Sequence, residues 1–240
     1  MAEIVYGLRA CLAVFEARRG DIERIVYSSS ARDAAKPLVQ WAKSRSIDCR
    51  EARDDELGKI AGSHNHEGVC LGTKPRRFVA QGDLLELLTR RKGVAVALDR
   101  VRNPYNVGAI LRTAAFFGVD AVILGAPAPH PALAPDAVRV AEGGAEHVAL
   151  ARTTDLAETL GRLRQKGVAI VGADQSAKQD IHAFVFTRPC VLVVGHEREG
   201  LGDRIRGSCD ALVAIRGAST IESLNVAVAS GILIAKLTAA

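Results

Sequence analysis

Apolar residues along the first 75 positions fall into short runs separated by polar segments with a helical period. This pattern predicts three strands, at residues 22–27, 47–50 and 68–73, and two helices, at 31–44 and 54–60. Strands and helices alternate, so we expect a compact α/β unit of about 75 residues, near the lower end for an independent domain.

A second and more strongly apolar alternation follows. Residues 93–98 (GVAVAL) form a continuous apolar run, which is typical of a strand covered on both faces. Further strands are predicted at 121–124, 168–171, 190–194 and 211–215, and helices at 107–117, 155–166 and 224–237. Asp83 is predicted to cap a helix that ends at Arg91. The alternation predicts an α/β fold with a mostly parallel sheet and helices on both faces.

Three polar loops follow apolar strands of this second part. They are residues 99–106 (DRVRNPYN), 195–200 (GHEREG) and 216–223 (RGASTIES). Because an open parallel sheet binds ligands beyond the carboxyl ends of its strands, we expect the functional residues in these three loops.

The first loop leads into the predicted helix at 107–117. Its Asn-Pro pair indicates a turn, and Asn106 is predicted to cap the helix. Arg112 lies within the helix among small and apolar residues. Two interpretations stay open for Arg112. Its guanidinium is either buried and held by a partner or ligand, or carried out to solvent by the aliphatic stem.

The other two loops carry further polar candidates. At Gly195 the missing side chain lets a ligand approach the backbone, and Glu197 and Glu199 lie near any cation bound there. Ser223 is predicted to cap the last helix, and Asn225 to project polar atoms toward the site. Taken singly, the same residues also fit an ordinary glycine-rich turn and a buried, capped helix.

Composition narrows the class of protein. With 48% hydrophobic and 25% charged residues the sequence is typical of a globular protein. The longest apolar run, 226–235, is shorter than the roughly 20 residues of a membrane-spanning helix. The five scattered cysteines contain no C-x-x-C pair and predict buried thiols without a metal. The amino terminus mixes charges of both signs instead of resembling a secretory signal, so we expect a cytoplasmic protein.

The sequence lacks the usual nucleotide-binding motifs, which argues against a nucleotide-dependent enzyme. The second loop lacks G-x-G-x-x-G, and G-x-x-x-x-G-K-[ST] does not occur along the chain.

The net charge of +5 has the sign expected of a nucleic-acid binder. Most of the excess lies in residues 76–92, which follow Lys74 and Pro75 and begin with Arg76 and Arg77. Contact with phosphates and a solvated linker are both compatible with this basic tract.

Together the three loops match one family in order and spacing. Residues 99–118 (DRVRNPYNVGAILRTAAFFG), 193–201 (VVGHEREGL) and 215–229 (IRGASTIESLNVAVA) resemble the three motifs of the SpoU, or TrmH-like, branch of the SPOUT RNA methyltransferases. The resemblance covers residues 93–240. Residues 1–75, with YGL at 6–8 and HEGV at 66–69, resemble the L30e-like substrate-binding domain that precedes the catalytic domain in many members. It implies an RNA-binding domain at 1–75, a basic linker and helix at 76–92, and a catalytic domain at 93–240.

The resemblance also implies an activity. Family members bind S-adenosylmethionine in a deep trefoil knot formed by the last strands and helix. They transfer its methyl group to a ribose 2′-hydroxyl of structured RNA, with S-adenosylhomocysteine as the product and without a metal. They are usually homodimers with active sites near the interface, so we expect a homodimer here.

By position, the resemblance assigns roles to residues of all three loops. Arg112 stands at the reacting ribose, and the catalytic polar set is completed by Asn106, Glu197, Ser223 and Asn225. The cofactor pocket is assigned to Gly195, Glu197, Ile215, Leu224 and Asn225. A guanidinium with a pKa above about 12 is a poor proton acceptor. We therefore interpret Arg112 as a clamp for the adjacent phosphate and the developing 2′-alkoxide.

Two positions depart from the family pattern. Asn103 stands where an acidic residue is common before the proline, and we expect it to affect the turn alone. Arg216 stands where proline is common after the isoleucine of the third motif. We expect Arg216 to contact RNA or to alter the path of the cofactor loop.

The RNA target is expected to be 23S ribosomal RNA, because members with this type of amino-terminal domain often act on ribosomal RNA. Other members act on transfer RNA, which is the first alternative. A protein that kept the fold and binds RNA without catalysis is the alternative from a different class. The complete polar set argues against it.

Overall fold

The computed structural model describes residues 2–125, 133–218 and 223–239, which form two β-sheets surrounded by helices. The strands of the smaller sheet are β1 (Glu3–Tyr6), β2 (Ile22–Tyr27), β3 (Asp48–Glu51) and β4 (Val69–Thr73). They lie in the order β1-β4-β2-β3, with β4 antiparallel to both of its neighbours and β2 parallel to β3. Three helices accompany this sheet: α1 (Leu8–Arg18), α2 (Lys36–Ser44) and α3 (Asp54–Ala61). We call residues 2–73 the smaller unit.

The three strands predicted here are confirmed to within one residue at either end. The helix predicted from residue 31 was begun too early, because α2 starts at Lys36. Pro37 occupies the first turn of α2, where its missing N–H costs nothing and where it restricts the preceding residue. Pattern reasoning did not predict β1 and α1.

The larger sheet has seven strands. They are β5 (Val94–Leu98), β6 (Ala121–Leu124), β7 (Ala149–Arg152), β8 (Ala169–Ala173), β9 (Gln179–Asp180), β10 (Cys190–Val194) and β11 (Ala211–Ala214). Their order is β7-β6-β5-β10-β8-β11-β9, and all neighbouring pairs are parallel. The predicted parallel sheet is confirmed. The chain path expected to form the trefoil knot includes residues 219–222, which lie outside the described residues.

Helices cover both faces of the larger sheet, as predicted. They are α4 (Gln81–Arg91), α5 (Pro104–Phe116), α6 (Pro135–Val140), α7 (Gly144–His147), α8 (Leu156–Gln165), α9 (Asp203–Ser208) and α10 (Val226–Thr238). Val96 and Leu98 of β5 pack with residues of α5 and α10, whereas Ala95 and Ala97 pack with α4, α8 and α9. The alternating sides of one buried strand therefore serve two cores. The short helices α6, α7 and α9 and the strands β7 and β9 were not predicted.

Three predicted helix caps are wrong. Asp83 lies inside the first turn of α4, where its carboxylate favours the positive end of the helix dipole. Asn103, and not Asn106, caps α5, because its side chain accepts from the backbone N–H of Tyr105 at 2.9 Å. Asn225, and not Ser223, caps α10. Asn103 thus acts on the turn, as expected.

A largely buried cluster of four charged side chains joins the two sheets. Arg76 donates to Glu3 at 3.0 Å, to Glu146 at 2.7 Å and to the backbone oxygen of Ala145 at 2.7 Å. Arg18 of α1 also donates to Glu3 and Glu146, at 3.1 and 3.0 Å. We call Glu3, Arg18, Arg76 and Glu146 the junction cluster.

The junction cluster changes the interpretation of the basic tract. The side chain of Arg76 is only 6% exposed, so it is neither a phosphate contact nor part of a solvated linker. Arg77, the next residue, is 89% exposed. Helix α4, which completes this segment, packs Leu84 and Leu88 into the core of the larger sheet.

Two further predictions, on membrane-spanning helices and on the cysteines, can be compared with the described residues. None of the helices there combines the length and apolarity that a transmembrane span requires. Cys11, Cys70 and Cys190 are buried free thiols, as predicted, and burial raises the pKa of Cys70 and Cys190 to about 12. Such thiols are inert at neutral pH.

Candidate active site

A cavity of about 980 Å³ lies beyond the carboxyl ends of β8, β10 and β11. The loop 195–200 after β10 and the residues 215–218 after β11 line it, together with one face of α10. Its size suits a ligand of the dimensions of a nucleoside derivative. Two of the three predicted loops therefore meet at one pocket, at the sheet edge where ligands were expected.

The predicted cofactor residues are largely brought together. Gly195, Glu197, Ile215 and Leu224 all line the cavity, and so does Ser223. Asn225 does not line it but follows directly at the start of α10. The apolar part of the wall comes from the strand ends and α10, and the polar part from the loops.

A chain of side-chain hydrogen bonds connects the first loop with the second and third. The Oδ1 atom of Asn225 accepts from the backbone N–H groups of Ala227 and Val228, at 2.8 and 3.4 Å. Its Nδ2 atom donates to Oδ1 of Asn106 at 3.1 Å. The Nδ2 atom of Asn106 in turn donates to Oε1 of Glu197 at 2.8 Å.

The direction of this chain is fixed by its first link. An amide oxygen that caps a helix must accept, so the amide nitrogen of Asn225 is left to donate. Asn106 then accepts on its oxygen and donates from its nitrogen, and the chain ends on an acceptor, the carboxylate of Glu197. Because Asn103 does the capping in α5, the side chain of Asn106 is free for this role.

The loop that begins at Gly195 leaves no room for a side chain at that position. A Cβ atom there would lie 2.5 Å from the backbone oxygen of Gly200 and 2.6 Å from the backbone nitrogen of Leu201. The loop closes on itself through two hydrogen bonds, from the N–H of His196 to the oxygen of Gly200 at 3.1 Å and in reverse at 2.9 Å. The loop's own backbone therefore occupies the space that a side chain at Gly195 would need.

We expect Gly195→Ala to lower the affinity for the cofactor by about tenfold or more. The added methyl group meets backbone atoms that cannot rotate away, so the loop that carries Glu197 must shift. Isothermal titration calorimetry measures the change. Gly207→Ala is the matched control, since a Cβ atom there meets nothing within 4 Å. Equal affinities of the two variants would contradict the close approach.

A second set of contacts holds the first loop against the second. The buried carboxylate of Asp99 accepts from the backbone N–H of Gly202 at 2.9 Å. Arg100 donates to the backbone oxygen of Gly200 at 3.0 Å and pairs with Glu199. Burial lowers the pKa of the Arg100 guanidinium, but the hydrogen bonds and charges of Asp99 and Glu199 outweigh it and raise that pKa. Glu199 is thus engaged by Arg100, whereas Glu197 is held by Asn106.

Arg112 lies outside the set of residues that line the cavity. Its side chain is 57% exposed and pairs with Glu142, with 3.0 Å between Nη1 and Oε1. Of the two interpretations left open, the buried guanidinium is therefore wrong for the single chain, and the arginine reaches solvent. The helical period explains this, because Val107, Ile110, Leu111 and Ala114 occupy the buried face of α5.

Sequence reasoning missed the other polar end of the cavity. Asp174, Ser176 and Arg206 line it there. The carboxylate of Asp174 is buried, accepts from the backbone N–H of Ser176 at 2.8 Å and forms an ion pair with Arg206 without hydrogen-bond geometry. The rule that located the three loops applies here too, since Asp174 directly follows β8.

Arg216 has a structural explanation. Its guanidinium donates to the backbone oxygens of Ala177 and Lys178, at 2.6 and 3.1 Å. It therefore fastens the segment after β11 to the segment before β9. Of the two expectations, an effect on the path of the cofactor loop is the one that these contacts support.

Within residues 2–125, 133–218 and 223–239, no three His, Cys, Asp or Glu side chains come together in a way that would hold a metal ion.

Comparison with protein families gives two matches that together cover most of the chain. Residues 93–235 match the SpoU rRNA Methylase family. Residues 4–79 match the family described as RNA 2′-O ribose methyltransferase substrate binding.

Individual relatives and solved structures agree with these matches. The 23S rRNA (guanosine-2′-O-)-methyltransferase RlmB of Vibrio vulnificus is 34% identical over 96% of this chain and 94% of its own. The AdoMet-bound rRNA methyltransferase from Sinorhizobium meliloti is 25% identical, with a TM-score of 0.79 over 98% of this chain and 86% of its own. The SpoU methyltransferase AviRb from Streptomyces viridochromogenes, solved with AdoMet, is 22% identical with a TM-score of 0.81 over 98% and 89%. At that identity the likeness shows the fold alone.

Proposed function

The chain belongs to the SpoU rRNA methylase family, and we propose that it transfers a methyl group from S-adenosylmethionine to a ribose 2′-hydroxyl of 23S ribosomal RNA. The observation that carries the proposal is the cavity at the ends of β8, β10 and β11, with Glu197 held at its wall by Asn106 and Asn225. Family membership alone does not require this arrangement, and a non-catalytic relative has no physical need for it.

The cavity fits S-adenosylmethionine in size and in chemistry. Apolar side chains of Val194, Ile215 and Leu233 offer contacts to a purine ring, and Asp174 and Ser176 offer acceptors and donors to a ribose. The ligand, when bound, supplies an electrophilic methyl group on a sulfonium and leaves as S-adenosylhomocysteine. The negative charge of Glu197 favours this cation at the wall of the cavity.

The roles of the remaining residues follow from their chemistry. We assign to Arg112 the binding of the phosphate next to the target nucleotide and stabilisation of the developing 2′-alkoxide. Its guanidinium cannot take the hydroxyl proton, which we assign to the RNA or to water. Ser223 and Asn225 place polar atoms beside the acceptor. Since the sulfonium is an intrinsically good methyl donor, alignment of oxygen, methyl and sulfur supplies much of the acceleration.

The choice of ribosomal RNA rests on the smaller unit. A match to a 2′-O ribose methyltransferase substrate-binding family covers residues 4–79, and RlmB of Vibrio vulnificus aligns over nearly its whole length. We accordingly propose RNA binding by residues 1–75, a connecting segment at 76–92 and catalysis by 93–240, in the cytoplasm, where ribosomal RNA is modified.

We also propose a homodimer. Tyr105 and Phe116 of α5, and Val228 and Ile232 of α10, are exposed large hydrophobic side chains. The two helices pack against each other, and a Cβ atom on Gly231 would lie 4.0 Å from Thr113. We therefore assign these four side chains to one apolar face, whose Ile232 also lines the cavity. Arg112 lies on the same exposed side of α5. A second copy on this face covers the apolar side chains and brings Arg112 to the interface.

Val228→Asp is therefore expected to convert a dimer into a monomer at micromolar concentration, because a carboxylate would be buried in an apolar contact. Sedimentation velocity measures the mass. Val185→Asp is the control, since Val185 is exposed but lies outside α5 and α10. If the wild-type protein is a monomer, or if the Val228→Asp variant remains a dimer, this interface is wrong.

Mapping of 2′-O-methyl groups tests the function directly. In vitro transcribed 23S ribosomal RNA and unmodified transfer RNA are each incubated with the protein and S-adenosylmethionine. A single new methylated ribose in 23S RNA is expected, and Glu197→Gln is expected to reduce it. Methylation of transfer RNA alone would show that transfer RNA, and not 23S ribosomal RNA, is the target. Methylation of neither RNA would overturn the proposed function.

A further inference from the structure

Glu142 lies between two arginines that belong to different units. Its Oε1 atom is 3.0 Å from Nη1 of Arg112, and its Oε2 atom is 3.6 Å from Nη1 of Arg9 in α1. One carboxylate thus faces a cation of the smaller unit with one oxygen and the proposed catalytic arginine with the other.

The turn that carries Glu142 is held tightly between the two units. A Cβ atom on Gly143 would lie 2.8 Å from Cβ of Ala13 in α1. A Cβ atom on Gly144 would lie 2.7 Å from the backbone oxygen of Leu111 and 2.9 Å from Cα of Arg112. Glu142 itself has a φ of 45°, in the left-handed region that glycine and asparagine prefer. Such a backbone is kept only where its surroundings enforce it. The backbone from which the Glu142 side chain projects is therefore fixed by packing, whereas its carboxylate is held only by the two ion pairs.

The ion pairs themselves are weak. The side chains of Arg9, Arg112 and Glu142 are 74%, 57% and 33% exposed, so water and salt screen their charges. Both arginines keep donors that Glu142 does not use. A stronger anionic partner can displace the carboxylate with little loss.

We propose that Arg9 and Arg112 together bind one backbone phosphate of the RNA, and that Glu142 occupies this site until the RNA displaces it. The proposal rests on the RNA methyltransferase function above. The two free oxygens of a phosphodiester have a spacing similar to that of a carboxylate, so a phosphate takes the same two contacts and offers each guanidinium a charge-assisted hydrogen bond.

The site links RNA recognition by the smaller unit with the ribose chemistry of the larger one. A phosphate that sits between Arg9 and Arg112 fixes the backbone next to the target nucleotide against both units at once. Glu142 acts as a competitor, which lowers affinity for any RNA that reaches Arg112 without also engaging Arg9.

Filter binding of in vitro transcribed 23S RNA at several salt concentrations tests the site. Glu142→Gln removes the competing charge and keeps the side-chain shape, so its Kd is expected to fall about threefold to fivefold. Arg9→Ala is expected to raise the Kd by a similar factor. It is also expected to reduce the slope of log Kd against log salt concentration, by less than the roughly 0.7–0.9 of a whole phosphate contact, because Arg112 still pairs with the phosphate.

The exposed pair Glu86 and Arg90 in α4 provides matched controls. Its charges are 2.8 Å apart and solvent-exposed, like those of the proposed site. Glu86→Gln and Arg90→Ala change the net charge by the same amounts as the two test variants. They therefore correct for the general attraction between the protein and RNA.

Each outcome decides the proposal. A stronger effect of Glu142→Gln than of Glu86→Gln, together with a stronger effect of Arg9→Ala than of Arg90→Ala, supports it. If a test variant and its control have equal effects, in either of these two comparisons, the proposal is overturned. If the wild-type protein methylates 23S RNA while the pairs behave alike, the phosphate site is wrong and the proposed function stands. If it binds RNA with the expected differences and methylates nothing, the function is wrong and the site stands. If the wild-type protein binds no RNA, both are wrong.

Discussion

Replacing Arg112 with alanine is expected to lower the rate of RNA methylation about a hundredfold or more while the affinity for S-adenosylmethionine stays within about twofold. Removal of one group that stabilises a developing oxyanion has an effect of this size. The side chain is half exposed and lies outside the cofactor cavity, so neither the fold nor the pocket depends on it. Single-turnover methylation of 23S RNA and calorimetry with the cofactor measure the two quantities.

Two further variants sharpen this expectation. Arg112→Lys keeps the charge but not the planar pair of donors, so we expect it to restore only part of the rate. Arg90→Ala removes an exposed arginine from another helix and is expected to leave the rate unchanged. A rate for Arg112→Ala close to that of wild type would remove the residue from the mechanism.

Replacing Arg76 with alanine is expected to lower the free energy of unfolding by about 3–5 kcal/mol. The change leaves Glu3 and Glu146 facing each other across a buried junction with only Arg18 to balance them, and loss of one member of a buried ion pair has this magnitude. For a chain of this length the melting temperature falls by about 10 °C. Urea and thermal denaturation measure the loss.

Arg77→Ala is the matched control, because the neighbouring arginine is exposed and lies 3.8 Å from Asp21. It is expected to change the free energy of unfolding by less than about 0.5 kcal/mol. Similar losses in both variants would show that the junction cluster does not hold the two units together. A loss of RNA affinity without a loss of stability in Arg76→Ala would return this arginine to the phosphate contacts first considered for it.

The larger sheet was readily predicted because its central strands are buried on both faces. Runs such as VAVAL at β5 and CVLVV at β10 have no polar interruption, and both were located to within a residue. By contrast, β9 has two residues and α7 has four, which is too short for any period to show. The strand β1 has four residues at a sheet edge and follows the chain terminus. It pairs with β4, from Tyr6 opposite Cys70 to Glu3 opposite Thr73, and a partner so distant in sequence leaves no local signal.

The sequence predicted the location of the candidate site more reliably than the contacts within it. The strand-end rule located the loops that carry Gly195 and Ile215, yet it could not show which asparagine caps which helix. Asn103 and Asn106 both precede a helical period, as do Ser223 and Asn225, and the choice depends on the proline at position 104 and on a bond to a distant side chain. The position of Arg76 depended in the same way on Glu146, 70 residues later in the chain.

The side-chain amide of Asn225 has two roles. Its oxygen caps the first turn of α10, and its nitrogen donates to Asn106 in the series of hydrogen bonds that ends at Glu197. Fraying of that turn therefore withdraws the support that Asn225 gives to Asn106, and Asn106 is the residue that bonds Glu197. Part of the free energy that orients Glu197 thus depends on the closure of a single helical turn, however stable the rest of the sheet is. Local opening of this turn loosens the site in a molecule that is otherwise fully folded.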